Sequence, residues 1–258
     1  MDDSNPKDTR KNMPRGIFLL PNLFTTAALF SGFYAIIAAM NGRFEIAAIA
    51  IFIAGLLDGL DGRVARMTNT QSAFGAEYDS LSDMVSFGIA PALIVYLWSL
   101  AELREVSNFM GKLGWMAAFI YVTAAALRLA RFNTQVGTAD KRYFQGLASP
   151  AAAAVVMGAV WFCEIYHIQG SDVPYVALVL TLCSGLLMVS RFSYYSFKDL
   201  DLHGRVPFIL AVALMLAFAV VLLHPPVVLF LGFVVYAVSG PVLTLYRRRR
   251  RLAQRHGE

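Results

Sequence analysis

The chain has 258 residues, of which 58% are hydrophobic and only 15% charged, and its mean hydropathy is +0.58. Ordinary soluble domains carry about 25% charged residues, so this composition excludes a soluble domain, a disordered chain and a collagen. Cys163 and Cys183 both lie in apolar runs, which argues against a disulfide scaffold and a cysteine-based zinc site. The net charge of +5 would suggest nucleic acid in a soluble protein, but here it has to be interpreted against membrane topology.

Eight apolar segments follow one another along the chain, each about 17 to 29 residues long and able to cross a hydrocarbon core of about 30 Å as a helix. The sequence therefore predicts an all-α integral membrane protein with about eight transmembrane helices. A break at His224, Pro225 and Pro226 leaves open that the last two segments form one re-entrant hairpin. The predicted spans are Ile17 to Met40, Phe44 to Met67, Ser72 to Leu100, Lys112 to Phe132, Ser149 to Ile168, Val173 to Ser190, Pro207 to Leu223 and Pro226 to Tyr246.

Lysine and arginine are distributed unevenly between the two sets of loops. Nineteen of the 22 lie on the side of the N-terminus, and Arg43, Arg104 and Lys112 lie on the other. This asymmetry follows the positive-inside rule and predicts that both termini are cytoplasmic. The basic balance is thus mainly topology, and no nucleic-acid partner is expected. The run Arg247 to Arg251 also suits anionic lipid headgroups.

One membrane domain accounts for almost the whole chain. The first apolar run is too long for a removable signal peptide and lacks a small-residue cleavage site, so we expect it to stay attached. We divide the chain into a polar N-terminal segment (1–16), a single membrane domain (17–246) and a basic tail (247–258).

Four aspartates lie in the cytoplasmic halves of the second and third spans. Asp58 and Asp61 are three residues apart on one predicted helix, and Asp79 and Asp83 are four apart on the next, so each pair projects from one helical face. A short polar turn around Thr70 makes the two spans an antiparallel hairpin. Asp58 then lies at the depth of Asp83, and Asp61 at the depth of Asp79, so the two acidic faces can meet.

Carboxylates this close stay ionised in a low-dielectric site only with cations between them. Hard oxygen ligands favour Mg²⁺, Mn²⁺ or Ca²⁺, and two such ions about 4 Å apart are common in phosphoryl chemistry. Gly62 and Gly75 leave the cytoplasmic mouth open, and Arg66 lies one turn closer to water, where it can hold a phosphate. The pattern predicts an active site in the cytoplasmic half, between helices 2 and 3.

Two other interpretations of the acids stay open. A structural ion-pair network with Arg63 and Arg66 would satisfy buried charge, although four acids face only two nearby bases. A cation-transport pathway would also place acids within a membrane. Against transport, the outer half of the spans has no matching acids, and we find no inverted repeat.

The motif Asp-x-x-Asp-Gly-x-x-Ala-Arg, followed after eight residues by Gly-x-x-x-Asp-x-x-x-Asp, resembles the signature of the CDP-alcohol phosphotransferases. It spans 26 residues, and all eight fixed positions match: Asp58, Asp61, Gly62, Ala65, Arg66, Gly75, Asp79 and Asp83. The resemblance implies transfer of a phosphatidyl group from a CDP-linked lipid to an alcohol, with release of CMP. It also implies a homodimer in the bacterial cytoplasmic (inner) membrane.

The resemblance also assigns roles to residues. It implies that Asp58, Asp61 and Asp79 hold two divalent ions, Mg²⁺ or Mn²⁺, and that Asp83 is a further metal ligand and the general base. We expect direct displacement, because no serine or cysteine with an activating base is evident near the acids. The residues expected to line the nucleotide and diphosphate pocket are Asn22, Thr25, Gly62, Ala65, Arg66 and Gly75.

Further segments resemble the phosphatidylserine synthase branch of this family, which implies CDP-diacylglycerol and L-serine as substrates. Ala148 is a small departure, since proline is common at its position. Glycerol 3-phosphate, choline and inositol phosphate stay open as alternative acceptors. The segments are Pro21 to Thr25, Asp79 to Asp83, Ser86 to Pro91, Arg128 to Asn133 and Phe144 to Pro150.

An amino-acid acceptor needs a cation for its carboxylate. Arg128 and Arg131 lie three residues apart at the cytoplasmic end of the fourth span, with Asn133 nearby, and we expect these three residues to bind serine. The alternative for each arginine is to reach the interface as a determinant of topology.

Overall fold

The computed structural model describes residues 19–68, 70, 72–135, 143–195 and 208–255. Each of the eight predicted apolar segments contains a helix. The polar segment 1–16 and the last three residues lie outside the described part. The helices are α1 (Leu19–Met40), α2 (Phe44–Met67), α3 (Ala73–Trp98), α4 (Asn108–Gln135), α5 (Ser149–Ile165), α6 (Pro174–Val189), α7 (Phe208–Leu223) and α8 (Pro225–Arg255).

Within the described residues, four helices are long and apolar enough to cross a membrane: Leu20–Met40, Ala73–Trp98, Asn108–Thr134 and Pro225–Tyr246. Helices α5 and α6 are apolar but have only 17 and 16 residues. Helix α2 has 24 residues, about 36 Å, and its C-terminal half carries two aspartates and two arginines. The structure is therefore that of a helical protein compatible with a membrane, while the number of spans and the side of each terminus stay predictions.

Helices α1 and α2 form a close antiparallel pair. The turn between them contains Gly42 at φ +70°, a conformation that glycine adopts without strain. Ser31 of α1 donates a 2.7 Å hydrogen bond to the carbonyl of Ala50 on α2. Small side chains fill the contact, which lets the helix backbones approach closely. They are Ala35, Ala38, Ala39, Ala47, Ala48, Ala50 and Ala54, all buried.

Helix α3 changes its winding in the middle. Ala73–Asp83 and Ala90–Trp98 are α-helical, and Met84–Ile89 between them forms a π-helical turn. Helix α2 packs on the second half of α3 more closely than on the half that carries the acids, while α1 lies beside both halves. The hairpin is therefore wider at its acidic end.

Helix α5 lies at the centre of the bundle and packs against α2, α6 and α8. Its first ten residues after Pro150 are almost entirely small or β-branched and buried, from Ala151 to Val160. This central helix carries Ser149 at its N-terminal end, close to the level of the acids on the neighbouring helices.

One short pair of strands adds to the helical fold. β1 (Tyr143–Gln145) and β2 (Ser193–Tyr195) are antiparallel and join the connections that precede α5 and follow α6. Gly146, at φ +82°, follows β1, and a Cβ there would overlap the carbonyl of Met188. The strand pair therefore holds the start of α5 against the end of α6.

Tyr194 of β2 fixes this layer to α8. Its side chain is fully buried, and its hydroxyl donates a 2.9 Å hydrogen bond to the carbonyl of Ala237. Burial raises the pKa of Tyr194 to about 12, so the donor proton is retained at physiological pH. The centroid of the Tyr194 ring lies 5.5 Å from that of the Tyr236 ring. A Cβ at Gly240 would overlap the Tyr194 ring.

Candidate active site

The turn between α2 and α3 sets where the second acidic pair begins. The amide of Thr70 donates to the carbonyl of Ala65 at 3.1 Å, which closes the end of α2. Ser72 is the N-cap of α3, and its hydroxyl accepts a 3.0 Å hydrogen bond from the amide of Gly75. Such a cap satisfies one of the amides that have no partner in the first turn of a helix. Asp79 consequently lies two turns into α3.

The structure brings the aspartates of the two helices together. Carboxylate oxygens of Asp58, Asp61 and Asp79 all lie within 4.8 Å of one another. The carboxyl group of Asp83 lies within hydrogen-bonding reach of Asp58. Asp61 is 5% exposed, and the other three are partly buried. The aspartates of α2 and α3 therefore meet, as expected from their similar distances to the turn that joins the two helices.

Helix α1 supports both acidic helices from the side. The hydroxyl of Thr25 donates a 2.6 Å hydrogen bond to Oδ2 of Asp61 on α2. The hydroxyl of Ser82 on α3 donates to the carbonyl of Thr25 at 3.2 Å. One residue of α1 therefore links the two helices at the level of the acids.

The cluster fits a hard divalent cation. Its donors are carboxylate oxygens, the ligands that Mg²⁺ and Mn²⁺ prefer. Oδ1 of Asp79 is buried and has no hydrogen-bond partner among the described residues. A buried carboxylate oxygen without a donor is costly, and a cation within the cluster would satisfy it. Asp58, Asp61 and Asp79 are the residues that would hold this ion.

The residues expected at the nucleotide lie on α1, on α2 and in the first turn of α3. If Gly75 carried a Cβ, that atom would lie 3.4 Å from Oδ1 of Asn22. A Cβ on Gly62 would meet no atom within 4 Å. Ala65 is partly buried, and Arg66 is exposed. Gly62, next to Asp61 in the sequence, is therefore bordered by open space. Thr25, expected in the same group, contacts Asp61.

The three residues expected to bind the acceptor make different contacts in the structure. Arg128 is partly buried and interacts electrostatically with Asp83 and Asp58, and its Nη1 donates to the hydroxyl of Ser149 at 2.5 Å. Arg131 instead donates to the carbonyl of Val189 at the end of α6, at 3.3 Å.

Asn133 lies exposed near the C-terminal end of α4 and exchanges hydrogen bonds with Ser80, at 3.1 and 3.3 Å. Arg128 is thus the member of the predicted group whose charge acts on the acids.

Several contacts around the site were not anticipated from the sequence. Ser149 binds Arg128, Ser80 binds Asn133, and the hydroxyls of Tyr78 and Thr26 lie 2.9 Å apart between α3 and α1. Ser149 and Ser80 do fall within the segments that resemble the phosphatidylserine synthase branch, and this was the signal that could have found them. Tyr78 carries no comparable signal in a single sequence.

Comparisons with known proteins identify the family. Residues 18–189 match the family model described as CDP-alcohol phosphatidyltransferase. A CDP-diacylglycerol–serine O-phosphatidyltransferase of Helicobacter pylori is 37% identical over 202 residues, which cover 78% of this chain and 82% of that protein. An archaetidylserine synthase of Methanothermobacter thermautotrophicus is 32% identical over 177 residues, covering 68% and 69%. The chain belongs to the CDP-alcohol phosphatidyltransferase family.

Proposed function

We propose that this protein transfers the phosphatidyl group of CDP-diacylglycerol to the hydroxyl of L-serine, giving phosphatidylserine and CMP. The observation that carries this proposal is the meeting of four aspartates from α2 and α3 next to an arginine of α4. The names of the relatives from H. pylori and M. thermautotrophicus support serine as the acceptor.

Two divalent cations, Mg²⁺ or Mn²⁺, complete the proposed site, held by Asp58, Asp61 and Asp79 with Asp83 as a further ligand. Bound ions would neutralise the diphosphate and the charge that develops on the departing CMP. Asn22, Gly62, Ala65, Arg66 and Gly75 line the proposed nucleotide pocket, and Thr25 holds Asp61. The open space beside Gly62 supports the approach of a diphosphate there.

The reaction is a single displacement at phosphorus. The serine hydroxyl oxygen forms a bond to the lipid-linked phosphorus, and the bond from that phosphorus to the CMP oxygen breaks. Asp83 takes the hydroxyl proton as general base. The interaction of Asp83 with Arg128, the proposed anchor for serine, supports this role, because a base has to lie within hydrogen-bond reach of the reacting hydroxyl.

Arg128 is the proposed anchor for the carboxylate of serine. A guanidinium has five N–H donors in a planar fork, which suits bidentate contact with a carboxylate. Ser149 orients this fork through Nη1, and Asp83 lies within the range of its charge. Serine bound at Arg128 would present its hydroxyl towards the general base. Arg131 and Asn133 belong to the outer part of the same proposed acceptor region.

The proposed setting is the bacterial cytoplasmic membrane, with about eight spans, both termini and the acids on the cytoplasmic side, and two copies forming a homodimer. The asymmetry of lysine and arginine supports the orientation. The four long apolar helices support integration into a membrane. Serine and CMP, both water-soluble, would then exchange with the cytoplasm, while the acyl chains stay in the bilayer.

Replacing Asp83 tests the proposal. Purified protein with CDP-diacylglycerol, L-serine and Mn²⁺ should release CMP and form phosphatidylserine. Asp83→Asn should lower turnover by about 10²- to 10⁴-fold, the usual contribution of a general base. The matched control is Asp172→Asn, which changes an exposed aspartate before α6. Substantial turnover by folded Asp83→Asn protein would contradict the role of Asp83.

Two further experiments separate the proposed function from its alternatives: one changes the acceptor alcohol, and the other measures ion transport. Each candidate alcohol, namely glycerol 3-phosphate, choline and inositol phosphate, is offered in place of serine, and incorporation of one of these instead of serine would overturn the acceptor assignment. A cation transporter would instead carry ions across proteoliposomes without any CDP-lipid.

The metal assignment is tested separately: Asp58→Ala should abolish the dependence of CDP-lipid binding on divalent metal.

A further inference from the structure

The π-helical turn of α3 begins directly after Asp83. It comprises Met84–Ile89, and the amide of Ala90 donates to the carbonyl of Val85, five residues back. A π turn inserts about one extra residue into an α-helix, which rotates everything beyond it by about 100° relative to everything before it. The acidic half of α3 is therefore turned relative to the half that follows.

Because of this rotation, the acidic face of the first half of α3 and the buried face of its second half do not lie on the same side of the helix, as they would in a regular α-helix. At 100° per residue, Asp79, Asp83, Ala90 and Ile94 would lie on one side of a continuous α-helix. In the structure, Ala90 and Ile94 are completely buried in the bundle core, while Asp79 and Asp83 point to Asp58. The π turn lets α3 bury its apolar half and still aim its acids at α2.

Proline creates a gap in the hydrogen bonding at this turn, and a tyrosine fills it. Pro91 has no N–H, so it cannot donate to the carbonyl of Phe87, four residues earlier. Tyr121 of α4 is completely buried, and its hydroxyl donates to that carbonyl at 3.1 Å. Since a buried carbonyl without a donor is destabilising, this contact favours the observed winding.

A second hydroxyl ties the same turn to α1. Ser86 is buried and donates to the carbonyl of Ala28 at 3.2 Å. A Cβ at Gly32 would overlap the side chain of Ser86, so α1 leaves room for this contact. The π turn is therefore held from two neighbouring helices, and Tyr121 is its attachment to α4.

We propose that Tyr121 is a positioning residue that fixes the π turn of α3 and thereby sets how tightly the aspartate cluster binds a divalent cation. Tyr121 binds the carbonyl of Phe87, four residues after Asp83, and acts on the metal site through the direction of Asp79 and Asp83. The inference rests on the proposed function only in that the acids bind a metal, and it does not depend on which alcohol is the acceptor.

The test compares two tyrosine variants of the full-length purified protein. Tyr121→Phe removes the hydroxyl and keeps the ring. Tyr194→Phe is the matched control, because Tyr194 is equally buried and also donates to a backbone carbonyl, that of Ala237. Binding of Mn²⁺ is measured by electron paramagnetic resonance without lipid or serine, and melting temperature and CMP release are measured alongside.

We expect both variants to lose similar thermal stability, but only Tyr121→Phe to weaken Mn²⁺ binding, by about tenfold. Residues that orient metal ligands contribute about 10- to 100-fold to metal affinity or activity, and an indirect contact belongs at the low end. The turnover number of Tyr121→Phe should fall while its KM for the acceptor stays within about twofold. Equal Mn²⁺ affinity in both variants would overturn the proposal, as would a wild-type protein that binds no Mn²⁺.

A second variant covers the case in which Tyr121→Phe does not fold. In Tyr121→Phe combined with Pro91→Ala, residue 91 regains an N–H that can donate to the carbonyl of Phe87, so stability should recover. Mn²⁺ binding should stay weak, because the turn is then free to adopt ordinary α-helical winding. Wild-type Mn²⁺ affinity in the double variant would contradict the proposal. Failure of serine transfer by the wild type would overturn the proposed function and leave this comparison intact.

Discussion

Thr25 on α1 donates a 2.6 Å hydrogen bond to Oδ2 of Asp61 on α2. Both side chains are almost fully buried, 4% and 5% exposed. The hydroxyl of Thr25 also lies 3.2 Å from the carbonyl of Pro21, so it is positioned between its own helix and the acid. This contact fixes the direction of the Asp61 carboxylate within the proposed metal site.

Replacing Thr25 by valine should therefore weaken the metal site without changing the shape of the residue. We expect Thr25→Val to raise the Mn²⁺ concentration needed for half-maximal CMP release by about 10- to 100-fold, since such supporting contacts are worth that much. The measurement is CMP release over a range of Mn²⁺ concentrations. Thr25→Ser is the control, because it keeps the hydroxyl and should remain within about threefold of the wild type. A valine variant with the wild-type metal requirement would show that the contact is only structural.

The sequence predicted that aspartates of α2 and α3 come together, because helical periodicity and one short turn determine their positions. The residues that hold the acids were harder to predict. The contacts of Thr25 with Asp61 and of Tyr121 with Phe87 join residues 36 and 34 positions apart on successive helices, and no local pattern marks either.

The fold, too, was only partly predictable from the sequence. All eight apolar segments are helical, yet the π turn at Met84–Ile89 and the strand pair β1–β2 were not predicted. Both depend on tertiary contacts. The carbonyl of Phe87 needs a donor from α4, and β1 pairs with a strand nearly fifty residues later. Periodicity within a single helix contains no information about either contact.

Arg128 and Arg131 allow a direct test of acceptor recognition, because Arg128 interacts electrostatically with Asp83 and Asp58, whereas Arg131 donates to the carbonyl of Val189. Lysine has a single ammonium group in place of the planar fork, so Arg128→Lys should lose bidentate contact with a carboxylate. We expect the KM for serine to rise by about tenfold or more, corresponding to about 1.4 kcal/mol, with little change in the KM for CDP-diacylglycerol.

Arg131→Lys is the comparison variant for this experiment, because Arg131 belongs only to the outer part of the proposed acceptor region. Arg131 donates to the carbonyl of Val189, so its replacement should affect thermal stability more than the KM for serine. The two KM values are obtained from initial rates of CMP release. An equal rise in both variants would assign the carboxylate to the pair of arginines, and no rise in Arg128→Lys would remove Arg128 from the proposed acceptor site.

Two glycines of α8 should respond differently to alanine. A Cβ at Gly240 would overlap the ring of Tyr194, whereas nothing lies within 4 Å of a Cβ at Gly232. Because the ring of Tyr194 is buried and its hydroxyl is bound to Ala237, it cannot move aside easily. We expect Gly240→Ala to destabilise the protein by about 1–3 kcal/mol, as overpacking usually does. Gly232→Ala should be neutral or slightly stabilising. Thermal unfolding in detergent measures both, and equal melting temperatures would contradict the packing of Tyr194 on α8.

Ala148 should accept proline. Its φ of −62° is already the value that a proline ring imposes, and its amide makes no hydrogen bond to another described residue. Since proline restricts the unfolded chain, Ala148→Pro should stabilise the protein by about 0.4–1 kcal/mol and raise the melting temperature by roughly 1–4 °C. The control is Ala152→Pro, which removes the 2.9 Å hydrogen bond from the amide of Ala152 to the carbonyl of Ala148 inside buried α5. That change should cost about 3 kcal/mol or more. A fall in the melting temperature of Ala148→Pro would mean that the start of α5, and with it the position of Ser149 beside Arg128, differs from the structure described.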